Sequence, residues 1–215
     1  MRITACLFSL TLLLSACGDH DIGNQEPSSK VENTPSMDEP VLTAYSNFLS
    51  GDRTLLDNSQ SEKWWIPDFQ ETDMGYEYTF LDLNGDGIAE LLVQMADDPR
   101  GYNGVFHFED DKLFCWNSDA ADGSCWDYPL ISGAMVRQFD FNGTTTYTIF
   151  HYGADGGMEQ DSCLFAREEL IPDNSSEPCP YYEINGEEVN RAKFEEQLEL
   201  LITRQMLERS DWISN

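Results

Sequence analysis

The residues with the clearest capacity for chemistry lie in one short loop, Asp82 to Glu90, with the sequence DLNGDGIAE. Side-chain oxygens occur at its first, third, fifth and ninth positions. A hard cation such as Ca²⁺ takes six to eight oxygen ligands at about 2.3–2.6 Å. Alternating donors on a tightly curled loop can all point inward, and the glycines permit the backbone angles that this requires. The pattern predicts a calcium site with these ligands: Asp82, Asn84, Asp86, the main-chain carbonyl of Ile88, and Glu90.

This loop resembles the DxDxDG calcium loops of EF-hands, of dockerins and of the FG-GAP blades of integrin-like propellers. It departs from an EF-hand at its twelfth position, where Val93 replaces the bidentate Glu, and its flanks read as strands, EYTFLDL and IAELLVQM. An acid at position nine between two strands is the FG-GAP-like version. At position seven, Ile88 would offer its main-chain carbonyl while its side chain enters the core. A metal-free, self-satisfied Asx turn is the alternative interpretation of the same residues.

A bound cation is expected to stabilise the fold rather than to take part in a reaction. The loop places three carboxylates together, and a divalent ion offsets their mutual repulsion. A propeller is not expected, because the motif would have to repeat in every blade. The nearest second copy, Asp140 to Thr144, lacks the acid at position five and predicts a plain hairpin.

The sequence contains no recognisable catalytic motif: it has no GxSxG elbow, HExxH pair, P-loop or GxGxxG turn. His20 lies in a polar segment, and His107 is expected on a strand face. His151 precedes a Gly-rich loop that suits either a catalytic position or a hairpin connection. The chain is therefore expected to be non-catalytic. A hydrolase of envelope or extracellular polymers is the alternative, because carboxylate pairs carry no information among 40 acidic residues.

Two helices and a series of strands must position these residues. Asp38 or Glu39 can cap a first helix, Pro40 suits its first turn, and Gly51 ends it. Its apolar side chains recur with helical spacing. These are Val41, Leu42, Tyr45, Phe48 and Leu49. A final helix is predicted near 189–209, and its inward stripe is Phe194, Leu198, Leu201, Ile202 and Met206.

Alternating side chains predict strands between these helices. The expected ranges are 76–81, 88–95, 102–108, 112–117, 134–141, 144–152 and 161–167. Asn142-Gly143, between two of them, is a strong hairpin signal. The predicted fold class is α+β, with an antiparallel β-meander sheet flanked by a short N-terminal helix and a longer C-terminal helix.

The N-terminus carries a signal for export. Arg2 precedes an apolar stretch, Ile3 to Leu14, which is too short for a membrane span of roughly 20 residues and fits a secretory signal. Leu14-Ser15-Ala16-Cys17 resembles the bacterial lipobox. The resemblance implies that residues 1–16 are removed and that Cys17 receives fatty acids such as palmitate. An ordinary signal peptide, or an apolar terminus that is not removed, is the alternative.

Lipidation at Cys17 would anchor the protein in the bacterial cell envelope, because several acyl chains give stable membrane binding. Gly18 follows the cysteine, where an Asp would resemble an inner-membrane signal, so the outer membrane is favoured if the cell has two. Residues 17–38 are polar, which predicts a flexible acidic tether. Residues 39–215 are predicted to form a single α+β domain. The run from Ala44 to Met95 also resembles a class of bacterial lipoproteins with no known activity.

An exported chain with an even number of remaining cysteines favours disulfides. The candidates are Cys115, Cys125, Cys163 and Cys179. The local pairs Cys115–Cys125 and Cys163–Cys179 are favoured because each would close one loop. Free thiols are the alternative, and a zinc site is less favoured because no CxxC pair occurs.

The charge narrows the range of partners. With 12 Lys and Arg against 40 Asp and Glu, the formal net charge is −28. This excludes unaided binding to nucleic acid, which requires basic patches. The expected partner is an envelope protein or a polysaccharide. A further possibility is an acidic inhibitor that is steered onto a basic enzyme such as a lysozyme.

Overall fold

Alternating side chains along successive strands account for most of the architecture in the computed structural model. The structure describes residues 37–57, 63–71, 73–119, 124–167 and 180–215. These residues belong to one compact unit, Thr34–Asn215. The predicted signal peptide, the lipidation site Cys17 and most of the tether lie outside them. No helix in the described part of the chain is long and apolar enough to cross a membrane.

The described strands form two antiparallel sheets. Sheet 1 consists of β1 (Tyr76–Leu81), β2 (Glu90–Met95), β3 (Asn103–Glu109), β4 (Lys112–Asp119) and the short β11 (Ile213–Ser214), in the order β11-β1-β2-β3-β4. Sheet 2 consists of β5 (Cys125–Pro129), β6 (Met135–Phe141), β7 (Thr144–Tyr152), β8 (Met158–Arg167), β9 (Tyr181–Ile184) and β10 (Glu187–Val189), in the order β10-β9-β8-β7-β6-β5.

The α+β class is confirmed, and each sheet is largely a meander. The strands divide between two sheets, however, where the sequence predicted one. The division falls between β4 and β5, because β5 pairs with β6 and not with β4. Open twisted sheets of many strands tend to split into two packed sheets.

The two sheets and two helices form four layers. Helix α1 (Glu39–Leu49) covers the outer face of sheet 1 through a core that includes Tyr45, Phe48 and Phe106. A second core joins the inner faces of the sheets and contains Leu92, Val105, Met135 and Phe150. Helix α2 (Arg191–Leu201) covers the outer face of sheet 2, with Val136, Leu164, Tyr182 and Phe194 among the residues of the third core.

Both helices begin close to the predicted positions, and the first also ends where the sequence predicts. Pro40 lies in the first turn of α1, and Gly51 follows its end with a φ of +93°. The Asn190 side chain caps α2 by accepting from the Lys193 N–H. Helix α2 ends at Leu201 and continues as a 3₁₀ turn over Thr203–Gln205, so the predicted helix to 209 was too long.

The inner face of sheet 1 is unusually polar for a covered surface. Its buried polar residues are Glu77, Thr79, Glu90, Gln94, Asn103, His107 and Asn117. Buried polar groups are costly unless they are hydrogen-bonded, and several partners are present. Glu77 accepts from Gln94 at 2.7 Å and lies 3.1 Å from Arg209. Glu90, the last residue of the predicted calcium loop, lies on this face.

Candidate metal centre

The predicted calcium loop connects β1 to β2 and is fixed at both ends by buried residues. Leu83 and Ala89 are fully packed, whereas the segment between them is largely exposed. Gly85 and Gly87 have φ angles of +78° and +89°, a left-handed conformation that glycine adopts without strain. The glycines therefore allow the curl that the sequence pattern required.

The first aspartate of the loop lies inside this curl. One oxygen of Asp82 accepts from the Gly85 N–H at 2.7 Å, and the other accepts from the Gly87 N–H at 3.0 Å. Gly133, in the turn between β5 and β6, packs so closely on the loop that a Cβ there would lie 2.6 Å from the Asp82 carbonyl oxygen. The start of the loop is thus held by its own backbone and by sheet 2.

The middle of the loop is joined by hydrogen bonds between its own polar groups. The Asn84 side chain accepts from the Asp86 N–H at 3.0 Å and donates to Asp86 Oδ2 at 2.9 Å. Asp86 Oδ1 accepts from the Ile88 N–H at 2.7 Å. These contacts give the loop a defined shape, which both a calcium site and a metal-free Asx turn require.

Glu90, the last predicted ligand, is the first residue of β2 and is 0% exposed. Its Oε2 accepts from the Leu83 N–H at 2.6 Å, and its Oε1 lies 2.9 Å from His107 Nδ1. Burial raises the pKa of Glu90, the hydrogen bonds from His107 and Leu83 oppose this rise, and the nearby Asp86 charge adds to it. These surroundings therefore favour the neutral form of Glu90 more than water does.

Sequence reasoning placed His107 on a strand face, which is correct, but missed its contact with the loop. Leu91 lies opposite Phe106 in the pairing of β2 with β3, so the next residues, Glu90 and His107, face each other. Cross-strand neighbours on one sheet face lie within reach of each other's side chains. The contact was missed because it depends on the strand register, which the periodicity of the sequence alone does not predict.

Three side chains at the loop could hold a metal ion. Ligand atoms of Asp86, Glu90 and His107 all lie within 4.8 Å of one another, and Asp82, the first predicted ligand, is not part of this group. An ionised carboxylate offers about four lone-pair sites, and Asp82 and Asp86 each use two of them in the loop's internal hydrogen bonds. The loop oxygens can therefore accept the hydrogen bonds and bind an ion at the same time. This donor set is mainly oxygen, which suits a hard cation.

One expectation about the loop is wrong. The Ile88 side chain was predicted to enter the core, but it is 37% exposed. The neighbouring Leu83 and Ala89 fill the buried positions instead. The main-chain carbonyl of Ile88 stays a predicted ligand.

The cysteines do not form the predicted local pair. Cys115 carries a free thiol in the core between α1 and sheet 1, where it donates to the Asn117 carbonyl at 3.3 Å. Cys125 lies at the start of β5 in sheet 2. Because Cys115 is a free thiol, the predicted Cys115–Cys125 disulfide is wrong. Burial raises the pKa of Cys115 to about 12, which makes it unreactive. Cys163 also carries a free thiol, and Cys179, its predicted partner, lies outside the described residues.

The other candidate positions show ordinary packing. His151 makes an ion pair with Asp161 on an open strand face, where both side chains are half exposed. Trp64 packs against the core beneath α1, whereas Trp65 is 57% exposed. The rings of Trp126 and Tyr128 lie 4.2 Å apart at a tilt of 36°.

Comparison with known proteins gives no match for this chain. No protein-family model, no curated protein and no solved structure is similar to it. Its function is therefore inferred from the geometry of the described residues and from the sequence motifs.

Proposed function

We propose that this chain is a bacterial envelope lipoprotein whose globular domain is a non-catalytic binding module stabilised by Ca²⁺. The lipobox-like residues before Cys17 support the anchor and the cell-envelope location. The loop from Asp82 to Glu90 supports the cation. The tether, 17–38, would let the domain meet an envelope protein or a polysaccharide away from the membrane.

The observation that carries this proposal is the buried Glu90 carboxylate beneath the curled loop. A carboxylate removed from water is costly unless opposite charge or hydrogen bonds compensate it. Asp86, another acid, offers a ligand atom within 4.8 Å of one on Glu90 and adds repulsion. A divalent ion held by Asp82, Asn84, Asp86 and Glu90 would favour the ionised form of Glu90 and offset the repulsion between these acids.

The same burial argues for a structural rather than a catalytic role. Glu90 has the raised pKa that a general acid needs, but it is fully buried against His107 and the Leu83 N–H. A polymer substrate has no access to this carboxylate. The hydrolase alternative would therefore need other acids.

Thermal unfolding of the full chain in detergent tests the cation. Extracellular calcium modules bind with a Kd of about 10⁻⁴–10⁻³ M, so 10 mM Ca²⁺ would add about 1.4–2.7 kcal/mol of stability. At about 2–4 °C per kcal/mol, we expect the melting temperature to rise by about 3–11 °C above its value in EDTA. Equal melting curves in calcium and in EDTA would contradict the proposal.

Two variants make this measurement specific. Asp86→Asn removes a loop charge and keeps an acceptor for the Ile88 N–H, and we expect it to abolish the calcium response. Asp111→Asn removes an exposed acid from the β3–β4 turn, where φ is +60° and Asn is tolerated. This control should keep the full calcium response. Loss of the response in both variants would indicate a nonspecific charge effect.

The anchor is tested separately by labelling cells with a fatty acid. The unmodified chain should carry the label and sediment with membranes, because acyl chains bury in the bilayer. The Cys17→Ser variant should lose both properties. A variant that keeps the label would contradict lipidation at this cysteine.

A further inference from the structure

We infer that His107 is a positioning residue of the cation loop, which holds the Glu90 carboxylate in place without binding the ion itself. This inference rests on the proposed calcium site, and it assigns a role to a residue outside the loop motif. It follows from the contacts of the Glu90 carboxylate, from the packing around the imidazole and from the chemistry of its nitrogen.

Two donors from different parts of the fold fix the Glu90 carboxylate. The Leu83 N–H, within the loop, donates to Oε2 at 2.6 Å, and His107 Nδ1, on β3, lies 2.9 Å from Oε1. Both oxygens are therefore held, and the carboxylate cannot rotate without losing a bond in a fully buried position. Each oxygen still has a lone pair for a cation.

The imidazole is in turn held by the packing around it. His107 is 3% exposed and stacks on Trp116, with a ring separation of 4.5 Å and an angle of 16°. Trp116 is the extra residue of a β-bulge, where the pairing shifts between Val105 and Phe106. Bulges of this kind redirect a side chain, and here the indole lies over the histidine.

The far side of Trp116 is supported by sheet 2. The indole packs on Tyr152 with 5.2 Å between ring centroids. Gly156, in the loop between β7 and β8, has a φ of +75°, and a Cβ there would lie 2.4 Å from the indole ring. His107 therefore cannot move away from Glu90 without disturbing a layer of packed rings between the sheets.

The nitrogen chemistry supports a positioning role over direct ligation. Ca²⁺ prefers oxygen ligands, whereas imidazole suits zinc and other transition metals. The 2.9 Å separation of Nδ1 from Oε1 is a hydrogen-bond distance. Hydrogen bonds to a ligating carboxylate from outside the ligand shell typically contribute 10- to 100-fold to metal affinity.

The test measures the Kd for calcium by titration calorimetry on the full chain in detergent. We expect His107→Leu, which removes the donor, to weaken calcium binding about 10- to 100-fold. We expect His107→Asn, whose amide nitrogen occupies the position of the imidazole Nδ1, to stay within a few-fold of the unmodified chain. Gln94→Leu is the matched control, because Gln94 is a polar residue buried on the same sheet face. It should leave the Kd unchanged.

Each result is distinguishable. If the unmodified chain binds no calcium, the proposed function fails and no site exists for His107 to position. If it binds calcium and His107→Leu binds equally well, the inference is overturned and the proposed function survives. Equal losses in His107→Leu and His107→Asn would also overturn it, because a hydrogen bond would not explain them.

Two further measurements complete the design. If His107→Leu does not fold, His107→Phe replaces it, because its ring can keep the stacking on Trp116 and carries no hydrogen-bond donor, and the same loss is expected. Titration with Zn²⁺ tests direct ligation. A variant that loses zinc binding and keeps calcium binding would show that His107 is a ligand for a transition metal, and this would overturn the positioning role.

Discussion

Two turns of this molecule begin with the same pattern, Asp-x-Asn-Gly, and use their aspartates differently. In the turn between β1 and β2, Asp82 accepts hydrogen bonds from Gly85 and Gly87 of its own turn. In the turn between β6 and β7, Asp140 accepts from Thr145 at 2.8 Å, from Gln138 at 2.9 Å, and lies 3.5 Å from Arg100.

The second turn is the plain two-residue hairpin that the sequence predicted. Asn142 and Gly143 have φ angles of +49° and +72°, as expected for a turn in which both central residues are left-handed. Arg100 provides positive charge beside Asp140, so a cation would have little repulsion to offset there.

The difference shows that the Asp-x-Asn-Gly pattern permits a tight turn but does not by itself make a metal site. The first turn has an acid at position five, Asp86, and a buried Glu90 beneath it. The second has Thr144 at position five and an arginine beside its aspartate. The two turns are distinguished by the charges around them and not by the Asp-x-Asn-Gly pattern itself.

The largest expected difference between the two turns concerns their acids. Glu90→Ala leaves His107 and the Leu83 N–H buried without their acceptor, which should cost about 3–5 kcal/mol of stability. Asp140→Ala removes partly exposed hydrogen bonds and should cost about 0.5–1.5 kcal/mol. Urea unfolding in EDTA measures both. Equal losses would mean that the first turn does not depend on its buried acid.

A smaller difference concerns the support that the first turn receives from sheet 2. Gly133 and Gly85 both have positive φ, so alanine introduces similar backbone strain at either position. A Cβ at Gly133 also overlaps the Asp82 carbonyl, whereas nothing lies within 4 Å of one at Gly85. We expect Gly133→Ala to destabilise the protein by about 1–3 kcal/mol more than Gly85→Ala in urea unfolding. Similar values would show that the loop yields freely at this contact.

The smallest expected effect is that completing the pattern of acids in the second turn creates no calcium response. Thr144→Asp introduces an acid at position five of the second turn. In an Asp86→Asn background, we expect this change to give no calcium-dependent rise in melting temperature, because Arg100 lies beside Asp140. The Asp86→Asn chain alone is the control. A calcium response from the grafted turn would mean that the local pattern is sufficient and that the comparison is wrong.

Local patterns predicted those parts of the fold that depend on local interactions. The first helix, with Pro40 near its start and Gly51 after its end, has the expected bounds. The Asn142-Gly143 hairpin is also confirmed. The strand β5 was missed, and with it the division into two sheets, because its pairing with β6 is a tertiary choice and Pro129 weakens its strand signal.

The curled loop of oxygen donors between two strands can be predicted from local sequence, because glycine positions and side-chain spacing are local properties of the chain. The residues beneath that loop depend on how the two sheets pack. Sheet 2 covers the polar face of sheet 1, and strand register brings His107 to Glu90. Burial then turns an ordinary carboxylate into one whose charge must be compensated, and no periodicity in the sequence reports burial between two sheets.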